Sequence, residues 1–189
     1  VCGLLAQRLW KLFADNSSPD WPWGEDVVAY ANARLPQALI AAGHWLGNET
    51  MCRQGLQSLD WLLRIQTDPQ EGHLSLIGNN GWFPRGGEKA RFDQQPIEIA
   101  ALVDACYEAY LVTQDERWLR EIDRCFDWFL GGNDVHTMVC DLSTGGCRDG
   151  LHSAGVNQNQ GAESTLAWLM SLHRVHEIAQ KSRIETRVA

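Results

Sequence analysis

The chain has 189 residues, 44% of them apolar and 21% charged, which is enough for one globular domain with a substantial core. Its net charge of −8 at pH 7 argues against nucleic acid or an anionic membrane as the main partner. No apolar run approaches the length of a membrane span, and neither a signal peptide nor an initiator Met is present, so we expect a cytoplasmic fragment of a longer protein.

The helical segments of the chain fall into two types. Outer segments have apolar residues at three- and four-residue spacing, which is typical of helices with one buried face. They are 4–13, 49–66 and 115–131. Inner segments are rich in Ala and less sharply two-faced, which suits helices packed between neighbours. They are 35–46, 95–112 and 161–179. The polar tail at 181–189 is expected to fray.

Outer and inner segments alternate, and both types repeat. Residues 59–63 (LDWLL) match residues 126–130 (FDWFL), and Gln37, Glu98 and Glu163 occupy like positions in the inner segments. A two-helix repeat of about 65 residues predicts an all-α array of antiparallel helical hairpins.

The connections between segments alternate between short turns and long loops. The long loops lead from outer to inner segments, and they cover about 15–32, 67–93 and 132–160. Because the chain direction alternates, all three should lie at one end of the array, where long loops are usually functional. A strand-like piece at 73–77 predicts a small hairpin.

The long loops carry Trp, Arg, carboxylates and amides close to the inner helices. Aromatic rings and groups that both donate and accept hydrogen bonds suit a hydroxyl-rich, sugar-like ligand. The residues expected to bind such a ligand are Trp21, Trp23, Asn32, Arg34, Trp82, Arg85, Arg91, Gln94, Arg148, Asp149, His152, Asn157, Asn159 and Gln160.

Three carboxylates at the inner-helix starts are candidates for catalysis. Glycoside chemistry needs two facing carboxyl groups, and Asp93, Glu98 and Glu163 are the candidates. Arg91 and Arg148 are expected to orient them through paired hydrogen bonds. The alternative is a structural role, because Asp93 lies in a helix-capping region and both glutamates have the spacing of capping-box acids.

Four stretches of the chain resemble a known group of proteins. Residues 32–43, 58–67, 78–98 and 145–165, with the motifs DQQPIE and NQNQGAEST, resemble the helical region of bacterial group 1 glycosyltransferases. The array is more distantly similar to the (α/α) toroid of six-hairpin glycosidases and N-acylglucosamine 2-epimerases. The resemblance implies half of an (α/α)6 barrel in residues 1–180, with about three inner and three outer helices.

Two functions stay open on the sequence, and both involve carbohydrate. One is a glycosidase- or epimerase-like cleft; the other is a non-catalytic module that binds a glycan or packs against a glycosyltransferase domain. The ligand would be a carbohydrate or sugar phosphate, with no cofactor and no metal. The open side of the half-barrel, around 35–46 and 161–179, should be covered by a missing part of the chain or by a second copy in a homodimer. The six cysteines lack a C-x-x-C pair and are expected to be free thiols.

Overall fold

A computed structural model describes the backbone of residues 2–188 and the side chains of residues 2–181. Within these residues the chain forms six helices: α1 (Cys2–Asn16), α2 (Arg34–Trp45), α3 (Glu49–Ile65), α4 (Pro96–Thr113), α5 (Arg117–Leu130) and α6 (Ala162–Val188). Four two-residue strands accompany them: β1 (Val27–Val28), β2 (Phe83–Pro84), β3 (Leu151–His152) and β4 (Gly155–Val156). The all-α class predicted from the sequence is confirmed.

Helix α4 forms the centre of the core. It begins with Pro96, whose missing N–H costs nothing in the first turn of a helix. Buried residues follow one another from Ile99 to Val103, so the helix is covered on most of its faces. It contacts α2, α5 and α6, and its many alanines let these neighbours approach closely. The inner type assigned to segment 95–112 is therefore confirmed.

Helices α3 and α5 each bury one face, as their amphipathic patterns predict. Helix α3 packs along α2, and glycines bring the two helices together. A Cβ atom on Gly43 would overlap the backbone nitrogen of Cys52, and one on Gly55 would lie 2.8 Å from Ile40. Helix α5 packs along α4 and ends at Gly131, whose φ of 113° suits glycine.

The three long connections contact one another at one end of the helices, as predicted. We call them loop 1 (17–33), loop 2 (66–95) and loop 3 (131–161). Strands β1 and β2 pair loop 1 with loop 2 in antiparallel fashion. Gln94 of loop 2 pairs with Leu151 of loop 3, and strands β3 and β4 form a hairpin inside loop 3.

The strand-like piece at 73–77 makes one antiparallel bridge, from Leu74 back to Thr67, so it pairs as a hairpin would but forms no strand of its own. Helix α6 includes 181–188, whose fraying stays a prediction, and Ala189 lies outside the described residues. The expectation of free thiols agrees with the structure, in which all six cysteines are unpaired within the described residues. Over the same residues, none of the helices carries an apolar stretch long enough to cross a bilayer.

Candidate functional site

Loops 2 and 3 enclose a cleft of about 240 Å³, which we call the loop cleft. It is lined by Asn79, Asp93, Gln94, Gln95, Asp149, Gly150, Leu151, His152 and Asn157. Five of these belong to the set predicted from the sequence: Asp93, Gln94, Asp149, His152 and Asn157. Asn79 and Gln95 are absent from the predicted set, although both are amides in the polar stretch 78–98. Their amide side chains, like those of the predicted residues, are the sequence feature from which they could have been predicted.

Backbone pairing holds the two walls of the loop cleft together. Gln94 and Leu151 exchange two backbone hydrogen bonds of 2.9 Å each. Beside them, Gly150 has a φ of 139°, a region that side chains rarely adopt. A Cβ atom at Gly150 would also overlap the carbonyl oxygen of Gln94. Loop 3 can therefore reach loop 2 only with glycine at position 150.

The side chain of Gln94 is fully buried, and its amide is hydrogen-bonded to other groups of the protein. Its Nε2 donates to the backbone carbonyl of Arg91 at 2.8 Å and to the Asp134 carboxylate, and its Oε1 accepts from the Trp128 indole at 3.0 Å. The predicted sugar-binding residue therefore supports the wall of the cleft with its side chain.

Asp149 is held in its charged form at the edge of the cleft. Burial raises the pKa of its carboxyl, but hydrogen bonds from Asn159, Gly161 and Ser164 outweigh burial and lower it. The Gly161 N–H, just before α6, donates at 2.7 Å. This carboxylate therefore fixes the end of loop 3 against the start of α6. The side chain of Asn159 supports this contact by donating to the same carboxylate.

Glu98 is fully buried and ties α4 to loop 1. Its Oε1 accepts the N–H of Ala31 at 2.7 Å, and its Oε2 accepts the N–H of Asn32 at 3.1 Å. Burial raises the pKa of Glu98 to about 7; these two bonds lower it in part, and the nearby charge of Glu163 raises it further. The capping-box interpretation of Glu98 is wrong, since its carboxylate bonds to loop 1 and the N-cap residue Gln95 makes no side-chain cap.

Glu163 is exposed at the start of α6 and reaches the same loop. The Tyr30 hydroxyl donates to its Oε2 at 2.8 Å, a bond that, with partial burial, raises the pKa of Tyr30. Asn32, beside Glu98, is 2% exposed, and its side-chain nitrogen and oxygen have no hydrogen-bond partner among the described residues. A second polar cluster thus lies next to the loop cleft, formed by Tyr30, Asn32, Glu98 and Glu163. Of these four residues, Tyr30 was not predicted from the sequence.

The expectation that loop Trp side chains line a wet cleft is wrong for two of the three. Trp21 and Trp23 are 5% and 1% exposed. Trp21 packs at 5.1 Å against the ring of Trp61, and Trp23 packs at 5.6 Å against that of Phe13. Loop 1 therefore adds these rings to the hydrophobic core. Trp82 is half-buried and packs against the same core.

The predicted arginines Arg34 and Arg85 bond to protein groups. Arg34 donates to Asp104 and to Gln37 at 2.8 Å each, which joins α2 to α4. Arg85 donates to the backbone carbonyl of Asn16 at 2.9 Å and to Ser18, which joins loop 2 to the end of α1. Arg34 thus connects two helices, Arg85 positions loop 2, and neither side chain lines the loop cleft.

The buried carboxylate of Asp134, in loop 3, joins loops 2 and 3 beneath the cleft, and no sequence feature predicted this role. Burial raises the pKa of Asp134, but hydrogen bonds from Ser75, Arg91, Gln94 and His73 outweigh burial and lower it. Arg91 donates through Nη2 at 2.8 Å and through Nε at 3.1 Å. The expectation that Arg91 orients the catalytic carboxylates is therefore corrected, because Arg91 pairs with Asp134.

The remaining predicted residues lie in loop 3. Gln160 bonds to Asp141 at 3.1 Å and to Thr144 at 3.2 Å, so it closes a turn of its own loop. The Arg148 backbone N–H donates to the carbonyl of Val139 at 3.0 Å, and its side chain is half-buried. Neither Gln160 nor Arg148 lines the loop cleft.

No protein-family model matches the chain, and no curated protein sequence matches it either. Larger hollows of about 380 and 470 Å³ lie between helices. The first is lined mainly by charged side chains that pair with one another, such as Arg117 with Asp60 at 2.7 Å. The loop cleft is distinguished by two carboxylates and by the amides of Asn79, Gln95 and Asn157. Of these amides, only that of Asn157 makes a hydrogen bond among the described residues, in which its Oδ1 accepts the N–H of Asn159 at 3.0 Å.

Proposed function

We propose that the chain is a carbohydrate-binding domain and that a single sugar unit binds in the loop cleft. The observation that carries this proposal is the lining of the cleft, which combines the amides of Asn79, Gln95 and Asn157 with the carboxylates of Asp93 and Asp149. Amides donate and accept, and carboxylates accept, so together they match the hydroxyl groups of a sugar ring.

The dimensions of the cleft support a small ligand. Its volume of about 240 Å³ lies below the range of about 300–1,000 Å³ that is usual for sites of drug-sized ligands. Within the described part of the chain, no Trp, Tyr or Phe side chain lines it. Recognition would therefore depend on hydrogen bonds more than on stacking, and a neutral monosaccharide fits better than a long glycan.

The surroundings of the carboxylates favour a binding module over an acid–base enzyme. Glu98 has no exposed surface, and both of its oxygens accept backbone N–H groups. Asp149 is engaged by Asn159 and Gly161. Of the two carboxylates that line the cleft, Asp93 is therefore the better placed to meet a ligand.

Paired variants test binding at this site. Saturation-transfer NMR against monosaccharides, sugar 1-phosphates and short glycans identifies the ligand, and titration calorimetry gives its affinity. N79A and N157A should each weaken binding about 2- to 10-fold, the net effect of losing one or two hydrogen bonds. N80A and Q158A are the matched controls, because both residues are exposed neighbours outside the lining. Equal affinities in all four variants would exclude the loop cleft as the binding site.

A glycosidase- or epimerase-like enzyme is the second candidate. The observation in its favour is the pKa of Glu98 near 7, which suits a general acid, beside the charge of Glu163. Turnover of a ligand found in the screen should then fall in D93N and E163Q. Turnover that is unchanged in both variants removes these two carboxylates as catalysts, and wild-type protein without turnover leaves the binding module.

We also propose the finer architecture of half an (α/α)6 toroid, in a cytoplasmic, glycosyltransferase-related protein. The alternation of outer and inner helices and the packing of α2 and α6 against α4 support it. Helix α6 exposes Leu166, Leu169 and Met170, with 58%, 45% and 52% of each residue accessible. Further helices of a longer chain, or a second copy in a homodimer, would cover this apolar surface.

A further inference from the structure

Two cysteines of loop 3, Cys140 and Cys147, lie opposite each other on an antiparallel bridge. The residues on either side of the pair make the hydrogen bonds of this bridge. These bonds run from the N–H of Asp141 to the carbonyl of Gly146, at 2.8 Å, and from the N–H of Arg148 to the carbonyl of Val139, at 3.0 Å. With flanking bonds of this kind, the two cysteines are a non-hydrogen-bonded pair.

The backbone spacing of such a pair suits a disulfide. The Cα atoms of a non-hydrogen-bonded pair are about 4.5 Å apart, and both side chains stand on the same face of the ladder. A disulfide needs Cα atoms about 4.4–6.8 Å apart. Cys140 and Cys147 are free thiols in the structure, and the thiol of Cys147 donates to the carbonyl of Arg148 at 3.4 Å. The two strands can therefore accept a disulfide here without moving apart or together.

A hydrogen-bonded turn keeps the two cysteines opposite each other. The Asp141 carboxylate accepts the N–H of Ser143 at 2.9 Å and the amide of Gln160 at 3.1 Å. The N–H of Gly145, whose φ is 77°, donates to the backbone carbonyl of Asp141 at 2.8 Å. Because these contacts close the turn before any sulfur–sulfur bond forms, the two thiols meet at high local concentration.

Burial of the thiols sets the conditions under which they react. Cys140 and Cys147 are 1% and 0% exposed. Burial raises the pKa of Cys140; burial, and then the nearby charge of Cys140, raise the pKa of Cys147 to about 12. Since the thiolate is the reactive form, the closed turn reacts slowly. Residues 142–145 are exposed, however, so the turn can open while the helices stay packed.

We propose that Cys140 and Cys147 are an oxidative modification site, at which a small-molecule disulfide such as glutathione disulfide introduces a reversible cross-link. One protein thiol loses its proton and attacks the small disulfide, which gives a mixed disulfide and one small thiolate. The second protein thiol loses its proton, attacks the protein sulfur of the mixed disulfide and releases the other small thiolate. Two electrons thus pass to the small molecule, and the two protons complete its thiols. The cross-link lies just before Asp149 and fixes the strand that continues into the wall of the loop cleft.

A second pair of thiols is a possible competitor, Cys106 of α4 and Cys125 of α5. Burial, and then a hydrogen bond with Cys125, raise the pKa of Cys106, so these two thiols are neighbours as well. Both residues are fully buried on helices that pack along each other. Their oxidation requires α4 and α5 to separate, which costs more than opening an exposed turn. We therefore expect Cys106 and Cys125 to stay thiols in the native protein.

The test incubates the native whole chain with excess glutathione disulfide at about pH 8, where thiol–disulfide exchange proceeds, and then blocks the remaining thiols with N-ethylmaleimide. Asp-N protease cleaves before each Asp, including Asp141, so the proposed bond joins peptide 134–140 to peptide 141–148. Mass spectrometry without reduction should find these two peptides linked, and dithiothreitol should separate them. Cys2 is exposed and reacts with glutathione too, so the readout is the position of each bond.

Thermal unfolding of variants gives a second readout. The cross-link should raise the Tm of wild-type protein by about 2–10 °C, because it restricts the unfolded chain. C140S and C147S each lack one partner, so glutathione disulfide should leave their Tm unchanged. C52S, which removes the half-buried thiol of α3, is the matched control and should form the bond as wild type does.

Three results would each overturn the proposal. They are free Cys140 and Cys147 after oxidation that has modified Cys2, a bond between Cys106 and Cys125 in place of the proposed one, and a rise in Tm that is equal in wild type and C147S. None of these measurements involves a sugar, so their failure leaves carbohydrate binding in the loop cleft untouched.

Discussion

The buried carboxyl of Glu98 should make the stability of this protein depend on pH. Burial raises its pKa from 4.5 to about 7 in the folded chain. Because the folded-state pKa exceeds the unfolded one, the native state binds the proton more tightly. The stabilisation is complete below about pH 4.5 and is lost as the pH rises through about 7. A difference of about 2.5 pKa units corresponds to roughly 3 kcal/mol.

The variant E98Q removes this titration and keeps the shape of the side chain. Its amide oxygen can still accept one of the two N–H groups of Ala31 and Asn32. We expect the difference in unfolding free energy, wild type minus E98Q, to fall by roughly 2–3 kcal/mol between about pH 5 and pH 8.5. Urea unfolding followed by Trp fluorescence measures the unfolding free energy of both proteins. Contributions from groups that titrate alike in the two proteins cancel in the difference.

E108Q is the matched control, because Glu108 lies on the same helix and is only half-buried. Its pH profile should follow that of wild type. A difference between wild type and E98Q that stays constant across this pH range would refute the raised pKa, and with it the burial of a carboxyl between α4 and loop 1.

Three further predictions concern the loops and the surface of α6. G150A should destabilise the fold by about 1–3 kcal/mol, because its φ would be strained and its Cβ atom would overlap Gln94. G155A has open space around it and should destabilise the fold less, which urea unfolding of the two variants measures. D134N should lower Tm by several degrees, because Arg91 and His73 lose a buried anion, and an unchanged Tm would contradict the central role of that carboxylate. Wild-type protein should sediment as a dimer that L169E dissociates; a wild-type monomer would contradict the homodimer on α6.

The helices could be predicted from the sequence because their signals are local. The apolar residues of 115–131 recur at three- and four-residue spacing, and α5 buries that face. The alternation of short turns and long loops likewise predicted correctly that the three long loops meet at one end, since it requires only the direction of each helix.

The side-chain partners within the loops could not be predicted, because they depend on contacts between distant segments. Glu98 has the spacing of a helix cap, yet the N–H groups of loop 1 take both of its oxygens. Trp23 stands in a polar stretch, but loop 1 folds across α1 and buries it against Phe13. Asp134 has no sequence feature that separates it from other loop aspartates, and only the fold brings Arg91 to it.

The way in which the loops join has a consequence for how the chain folds. The bonds that close the loop end connect residues far apart in sequence: 67 positions separate Ala31 from Glu98, and 133 separate Tyr30 from Glu163. The helical hairpins α2–α3 and α4–α5, by contrast, need only short turns. Since local contacts form faster than distant ones, the hairpins should assemble first and the loop end last. A chain with complete helices and open loops would then have the circular dichroism of the native protein and yet be unable to hold a ligand, so the capacity to bind is the stricter measure of whether folding is complete.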